Sequence, residues 1–303
     1  MECHRRPFGL SSALLAISSV LLFGCGEEEH STANPATVLE QASVAAKTIG
    51  SGTIDARAEL QILADELSVS GRVELGGPFS RGSGRAPTFE LAGVLASDAA
   101  EGGSSEAKFA LTAAGGSAYL QSAGTSYRAA PQVVDRYVSL FEGGSGGGKD
   151  AGSLDLSSWL VEPTNEGVES IDGEELVHIS GTADVAELGE QLGAVIDQLG
   201  LKASASELGE IERGFFEQAT MDVYVAAEDM TPRRIELHLR WNGELEGGEP
   251  FDGAFDASLV IIELNEPQSI EVPQASQPLR GSVDELPPPL SGLGEYLANS
   301  REG

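Results

Sequence analysis

The chain has 303 residues, 41% of them hydrophobic, and a formal net charge of −30. That length and composition suit one large globular domain or two small ones with a sizeable core. An acidic excess of this order excludes nucleic acid and anionic headgroups as electrostatic partners, and otherwise describes a solvated exterior.

The chain opens with Arg5 and Arg6 and an apolar run from Phe8 to Phe23, ending in Leu22-Phe23-Gly24-Cys25. A charged start, an apolar middle and a small residue at the cut are the layout of a secretory signal, expected over 1–24. The run is too short and too Ser-rich to span a bilayer comfortably. The four residues ending in Cys25 resemble the lipobox of bacterial lipoproteins. That resemblance implies that the Cys25 thiol takes a diacylglyceryl group and becomes the first mature residue. Several acyl chains on one residue anchor stably, since each buried methylene contributes about 0.8 kcal/mol and one chain is marginal. A soluble exported protein with unmodified Cys25 is the alternative. Cys3 lies within the leader, so the mature chain has one cysteine and no disulfide framework.

Residues 25–33 read as the anchor and a polar tether, GEEEHSTA after Cys25. Asn34-Pro35 then starts a helix, with Asn as cap and Pro in the first turn. Val38, Leu39, Ala42, Ala45, Ala46 and Ile49 recur at helical spacing, and Gly50 ends it. The period switches to two at Ile54, Ala56, Ala58, Leu60 and Ile62. A turn at Ala64-Asp65-Glu66 leads to Leu67, Val69, Gly71, Val73 and Leu75. These are two antiparallel strands, each wet on one face. Further strands are expected over Phe89–Ala96, Ala107–Ala114 and Ser117–Ser122, with a short one near Tyr127.

Pro131 opens a second helix carrying Val133, Val134, Tyr137, Val138 and Phe141, followed by a Gly-rich loop from Gly143 to Asp150. A short amphipathic piece over Leu154–Leu160 holds Trp159. Gly167–Gly173 reads as a strand and tight turn, with the returning strand carrying Val177 and Ile179. Asp184 caps a third helix (Val185, Leu188, Leu192, Val195, Ile196, Leu199), and Ser206 caps a fourth reaching Phe215 and Phe216. The closing strands hold Met221, Val223, Val225 and Ala227, then Ile235, Leu237, Leu239 and Trp241, then Phe255, Ala257, Leu259 and Ile261. Single helices between groups of neighbouring strands indicate an α+β fold with one mostly antiparallel sheet. The domain is expected over 34–273, with 274–303 a Pro-rich flexible tail.

No motif carries chemistry, so no catalytic residue is assigned and the chain is expected not to be an enzyme. Gly143–Asp150 nearly spells a phosphate-binding loop, but Asp150 replaces the required Ser or Thr and a helix precedes it. The G-x-S-x-G letters within it lack the strained strand-to-helix turn of a nucleophile. His178 and His238 sit in strands with no local metal-ligand spacing or neighbouring carboxylate pattern. No calcium loop is present, and neither metal nor cofactor is expected.

The element order carries a resemblance. An acylated cysteine, a tether, an amphipathic helix and a meander reaching Ala118-Tyr119-Leu120 and Ser126-Tyr127-Arg128 resemble the LppX/LprG (LppX-LprAFG) lipoproteins of actinobacteria. So do Gly167–Asp172 with its hairpin and the run Asn265-Glu266-Pro267-Gln268-Ser269-Ile270-Glu271-Val272-Pro273. The likeness covers most of 34–273. It implies a half-barrel like that of LolA and LolB: one strongly curved antiparallel sheet, helices across its concave face and a hydrophobic cavity between. In this sequence the strand positions that would line such a lipid-binding pocket are Ile54, Leu60, Ile62, Val69, Leu91, Phe109, Leu111, Val225, Leu237, Leu239, Leu259 and Ile261. The implied function is non-catalytic binding or transport of a glycolipid, phospholipid or lipoglycan at the outer face of the cytoplasmic membrane, with an envelope transport partner. Small residues mixed with large ones (Ala56, Ala58, Gly71, Gly93 and Ala113) can leave a trough, or can admit closely packed helices. An interaction or sensor module of the same fold with a filled core therefore stays open.

Overall fold

A computed structural model describes residues 33–64, 68–81, 86–99, 103–141, 155–191, 216–244, 250–279 and 290. Helix α1 (Pro35–Ala46) begins as the sequence dictates, with the Asn34 Oδ1 accepting from the Ala36 and Thr37 amides at 3.0 and 3.3 Å. Strands β1 (Ser51–Ala64), β2 (Ser68–Ser80), β3 (Thr88–Ala99), β4 (Gly103–Ala114), β5 (Ser117–Ser122) and β6 (Thr125–Arg128) follow as an antiparallel meander. Helix α2 (Pro131–Phe141) and the single turn α3 (Leu156–Trp159) lead into β7 (Leu160–Ile171) and β8 (Glu174–Ala183). Helix α4 covers 185–191, capped by the Asp184 carboxylate on the Glu187 amide. The chain closes with β9 (Phe216–Ala226), β10 (Pro232–Glu244), β11 (Pro250–Ile262) and the two-residue β12 (Gln277–Pro278).

All twelve strands form one open, curved sheet in the order β12-β6-β5-β4-β3-β2-β1-β11-β10-β9-β8-β7. Every pairing is antiparallel except β12 on β6. The β1–β11 pair joins the first strand to the last long one, with Ala58 opposite Ala257. Alternation along each strand then puts one set of side chains on the helix side, here the inner face, and the other set outside.

Two cores hold the helices to the inner face at opposite ends of the sheet. In the first, Val38, Leu39 and Ala42 of α1, Leu156 and Trp159 of α3 and Leu188 of α4 pack on Val177, Ile179, Met221, Val223 and Val225. Fully burying a Val, Leu, Ile or Met side chain in this way contributes about 1.5–3 kcal/mol. Ser43 is buried without cost, because its hydroxyl donates to the Leu39 carbonyl and accepts from the Leu156 amide. In the second core Val133 of α2 packs with Ala107, Leu120, Tyr127, Leu279 and Leu290. Tyr137 ties α2 to the sheet, its hydroxyl donating to the Pro87 carbonyl at 2.5 Å and its ring edge-on to Phe89.

Three expectations change. Phe216 was expected at the end of a fourth helix, yet it opens β9 opposite Trp241, with the two rings 5.8 Å apart. An aromatic residue with a partner on the next strand has more to gain as a strand residue. The rest of that helix, the third helix beyond 191 and the Gly143–Asp150 loop lie outside the described residues. Secondly, the domain does not stop at 273. Residues after β11 are tied to the start of β1 through Asn265 and Ser51, touch Glu90 at the Glu271 amide, and reach β6 as β12. Leu279 and Leu290 are fully buried. Pro278 suits an edge strand, whose outward side needs no amide donor. The third change concerns the histidines and is taken up with the site.

Candidate lipid-binding face

Cross-strand register gathers every pocket residue expected from the sequence onto the inner face. Ile54 stands opposite Ile261, Leu259 opposite Ile235, Leu60 opposite Phe255, and Ile62 opposite both Gly253 and Val69. Leu91 faces Leu111, Phe109 faces Gly93, and Leu237 and Leu239 face Met221 and Ala219. Val225 lies opposite Val177.

These residues do not share one environment. Val225 belongs to the first core and Leu237 packs against it, Phe109 and Leu111 pack against the second, and Leu239 is buried. Ile54, Leu60, Ile62, Val69, Leu91, Leu259 and Ile261 lie in neither core and are only half-buried, Leu60 being 36% exposed. On β3, β2, β1 and β11, adjacent in the sheet, no inner side chain among the described ones is buried. The described residues thus supply an apolar floor and two end walls, one at each core. A contiguous exposed apolar patch of this kind marks a binding surface more often than an incidental one.

Small residues act on this floor in two ways. At Gly93 the Phe109 ring lies over the backbone, so that a Cβ would stand 2.7 Å from its Cζ. Gly253 is covered likewise by Trp241 and Gly243 by Phe251. Rings folded over cross-strand glycines keep the surface smooth and low. Gly71 differs, since nothing lies within 4 Å of where its Cβ would be.

From β6 across to β9, the inner positions hold no Asp, Glu, Lys, Arg or His. Charge is confined to the outer face, in cross-strand ladders. Arg57 pairs with Glu74 at 2.5 Å, a bond that lowers the Glu74 carboxyl below its ordinary pKa. An outer groove of about 770 Å³ runs past Thr53, Arg57, Glu74, Val94, Lys108 and Val260. On its rim the exposed Arg57 is paired with the half-exposed Glu74, an arrangement ordinary for a solvated surface.

The histidines belong to this outer face, and the expectation that they lack carboxylate neighbours does not hold. His178 lies between Glu169 and Asp222, 2.7 Å from each ring nitrogen, and stacks on Tyr224 at 4.4 Å. His238 Nδ1 meets Asp256 at 2.7 Å, and Arg240 meets the same carboxylate at 2.9 Å. Partial burial pushes Asp256 up, but the bonds from His238 and Arg240 outweigh it and leave its pKa below the ordinary value. Sequence reasoning missed these contacts because they join residues 9 to 44 positions apart across the ladder. Chemically, His178 has no ring nitrogen left for a substrate, and its imidazole fills the space between the two carboxylates. Among the described residues no group of three or more such ligands is arranged to hold a metal ion.

No family model matches this chain, and no curated protein matches it. Solved structures do show similarity. LprF from Mycobacterium bovis is 15% identical with a TM-score of 0.41, covering 80% of this chain and 97% of that one. The lipoprotein LppX from Mycobacterium tuberculosis is 13% identical with a TM-score of 0.37, covering 78% and 97%. An outer membrane lipoprotein-sorting protein domain from Vibrio parahaemolyticus is 8% identical with a TM-score of 0.25, covering 79% and 94%. LprF and LppX are thus among the solved structures this chain is similar to.

Proposed function

We propose that this chain is an exported envelope lipoprotein, anchored through acylated Cys25, that holds the acyl chains of a glycolipid, phospholipid or lipoglycan on the inner face of its sheet. It carries no catalytic machinery, and an envelope transport partner loads or unloads it. One observation supports this reading above the others: over β3, β2, β1 and β11 the described inner side chains are apolar apart from Ser97 and none is buried, whereas both flanking cores are closed. Apolar surface left half-exposed between two filled cores gains from an apolar occupant at about 25 cal/mol per Å² covered. The outer face differs in carrying charged side chains in cross-strand pairs, Arg57 with Glu74 among them.

The test is to purify the mature chain with Cys25→Ser, extract it with organic solvent and look for lipid by mass spectrometry. The emptied protein is then titrated with a fluorescent acyl probe. Copurified lipid and saturable uptake are expected; absence of both would favour a module with a filled core. In cells, labelled palmitate should enter the full chain and not its Cys25→Ser variant.

A further inference from the structure

The inner face is apolar along most of its length, and on β1 to β4 only two of its side chains carry a hydrogen-bonding group. These are Ser97 of β3 and Ser105 of β4, which stand opposite each other with their hydroxyls 2.8 Å apart. Ser97 is exposed and Ser105 half-exposed. Next to Ser97 across the β2–β3 ladder is Gly71, and next to Gly71 across the β1–β2 ladder is Leu60. The row Leu60, Gly71, Ser97, Ser105 therefore crosses four strands, near the end of the sheet where β1 turns into β2. One step toward the middle, the corresponding row is Ala58, Val73, Leu95 and Ala107, entirely apolar.

Gly71 adds room to this row, because its missing side chain leaves open space. The serine pair adds hydrogen-bonding capacity. After their mutual bond the two hydroxyls keep one free hydrogen and lone pairs on both oxygens. A sugar or glycerol hydroxyl, itself both donor and acceptor, matches that set. A phosphate does not, since it needs donors or cations and the inner positions from β6 to β9 carry no cation. Arg72 and Lys108 are on strands of the same region but on the outer face, with the sheet between. A net charge of −30 further disfavours an anionic head.

We propose that Gly71, Ser97 and Ser105 form the headgroup subsite of the lipid-holding face, and that it selects uncharged, hydroxyl-bearing lipids of the glycosyl diacylglycerol class over anionic phospholipids. This rests on the lipid-holding reading above. The acyl chains run from this row onto the floor made by Ala58, Val73 and Leu95.

The experiment uses the mature chain with Cys25→Ser, freed of lipid and titrated with three fluorescent probes bearing the same acyl chain. These are a glucosyl diacylglycerol, a phosphatidylglycerol and a free fatty acid. The glucosyl lipid is expected to bind at least about tenfold more tightly than phosphatidylglycerol. The Ser97→Ala/Ser105→Ala variant should weaken the glucosyl lipid about fivefold to tenfold, the effect of one or two lost hydrogen bonds. Fatty-acid binding should stay unchanged, and Ser97→Thr, which keeps the hydroxyl, should keep the preference. Equal or tighter binding of phosphatidylglycerol, or a preference that survives loss of both hydroxyls, overturns the subsite while leaving lipid holding intact. Failure of all three probes to bind overturns the lipid-holding reading and the subsite with it.

Discussion

A glycine on an apolar sheet face can have its space taken by a neighbour or left vacant, and the inner face contains both cases. At Gly93 a Cβ would meet the Phe109 ring at 2.7 Å, the Glu74 backbone oxygen at 2.8 Å and the Leu75 side chain at 2.8 Å. A ring can rotate away, but a backbone oxygen held in a ladder cannot. Gly93→Ala is therefore expected to destabilise the fold by about 1–3 kcal/mol through overpacking. Gly71→Ala should do the opposite, because its Cβ meets nothing and a glycine inside a strand costs about 0.5–1 kcal/mol relative to alanine. Urea unfolding of both variants checks the pair; equal shifts in the midpoint would show that the space seen around the two glycines does not govern them. In sequence both are small letters at inward positions of alternating strands, and only the partner across the ladder, Phe109 or Ser97, tells them apart.

Elements were legible where one period ran long enough. Strand β5 and helix α2 have the bounds their patterns suggest, and the long alternation of β1, β2, β10 and β11 placed the right side chains on the right face. Outer-face chemistry was not legible, because a cross-strand ladder brings together residues that no local spacing relates. Asp256 shows what such a contact does. Its carboxylate accepts from His238 and Arg240, and despite partial burial its pKa stays below the ordinary value. A carboxyl lowered in the folded state contributes stability above its unfolded pKa of about 3.9, and loses it as pH falls through the lower folded value. The wild type should thus be more stable than Asp256→Asn at pH 5, and the gap should close as the pH is taken toward 3. Unfolding midpoints at stepped pH values measure this, and a gap that stays constant would mean the carboxylate's charge plays no part.

At the scale of the whole molecule, one sheet is shared by two cores with a half-exposed span between them, and each end of the sheet is finished differently. The β7 edge is blunted by Pro163 and by register shifts near Val161 and Asn165, which discourage pairing with another chain. The β6 edge is instead covered by the chain itself, through β12 and the buried Leu279. This second solution was invisible in the sequence because two isolated leucines among prolines have no period to read, and burial comes from where the segment is tied. It also separates the two ends mechanically. Leu279 and Leu290 pack with Leu120, Tyr127 and Val133, and neither belongs to the core around Leu39, Ile179 and Val223. A chain ending at Val272 is therefore expected to lose amide protection in β4, β5, β6 and α2 while β8, β9 and β10 keep theirs, as separate cooperative units do. Leu279→Ala should give a milder form of the same pattern, at about 2–5 kcal/mol for an emptied leucine site. Hydrogen exchange resolved by peptide decides the matter: loss spread evenly over all strands would mean that the sheet couples the cores into one unit, and the half-exposed span could not then deform without unfolding either end.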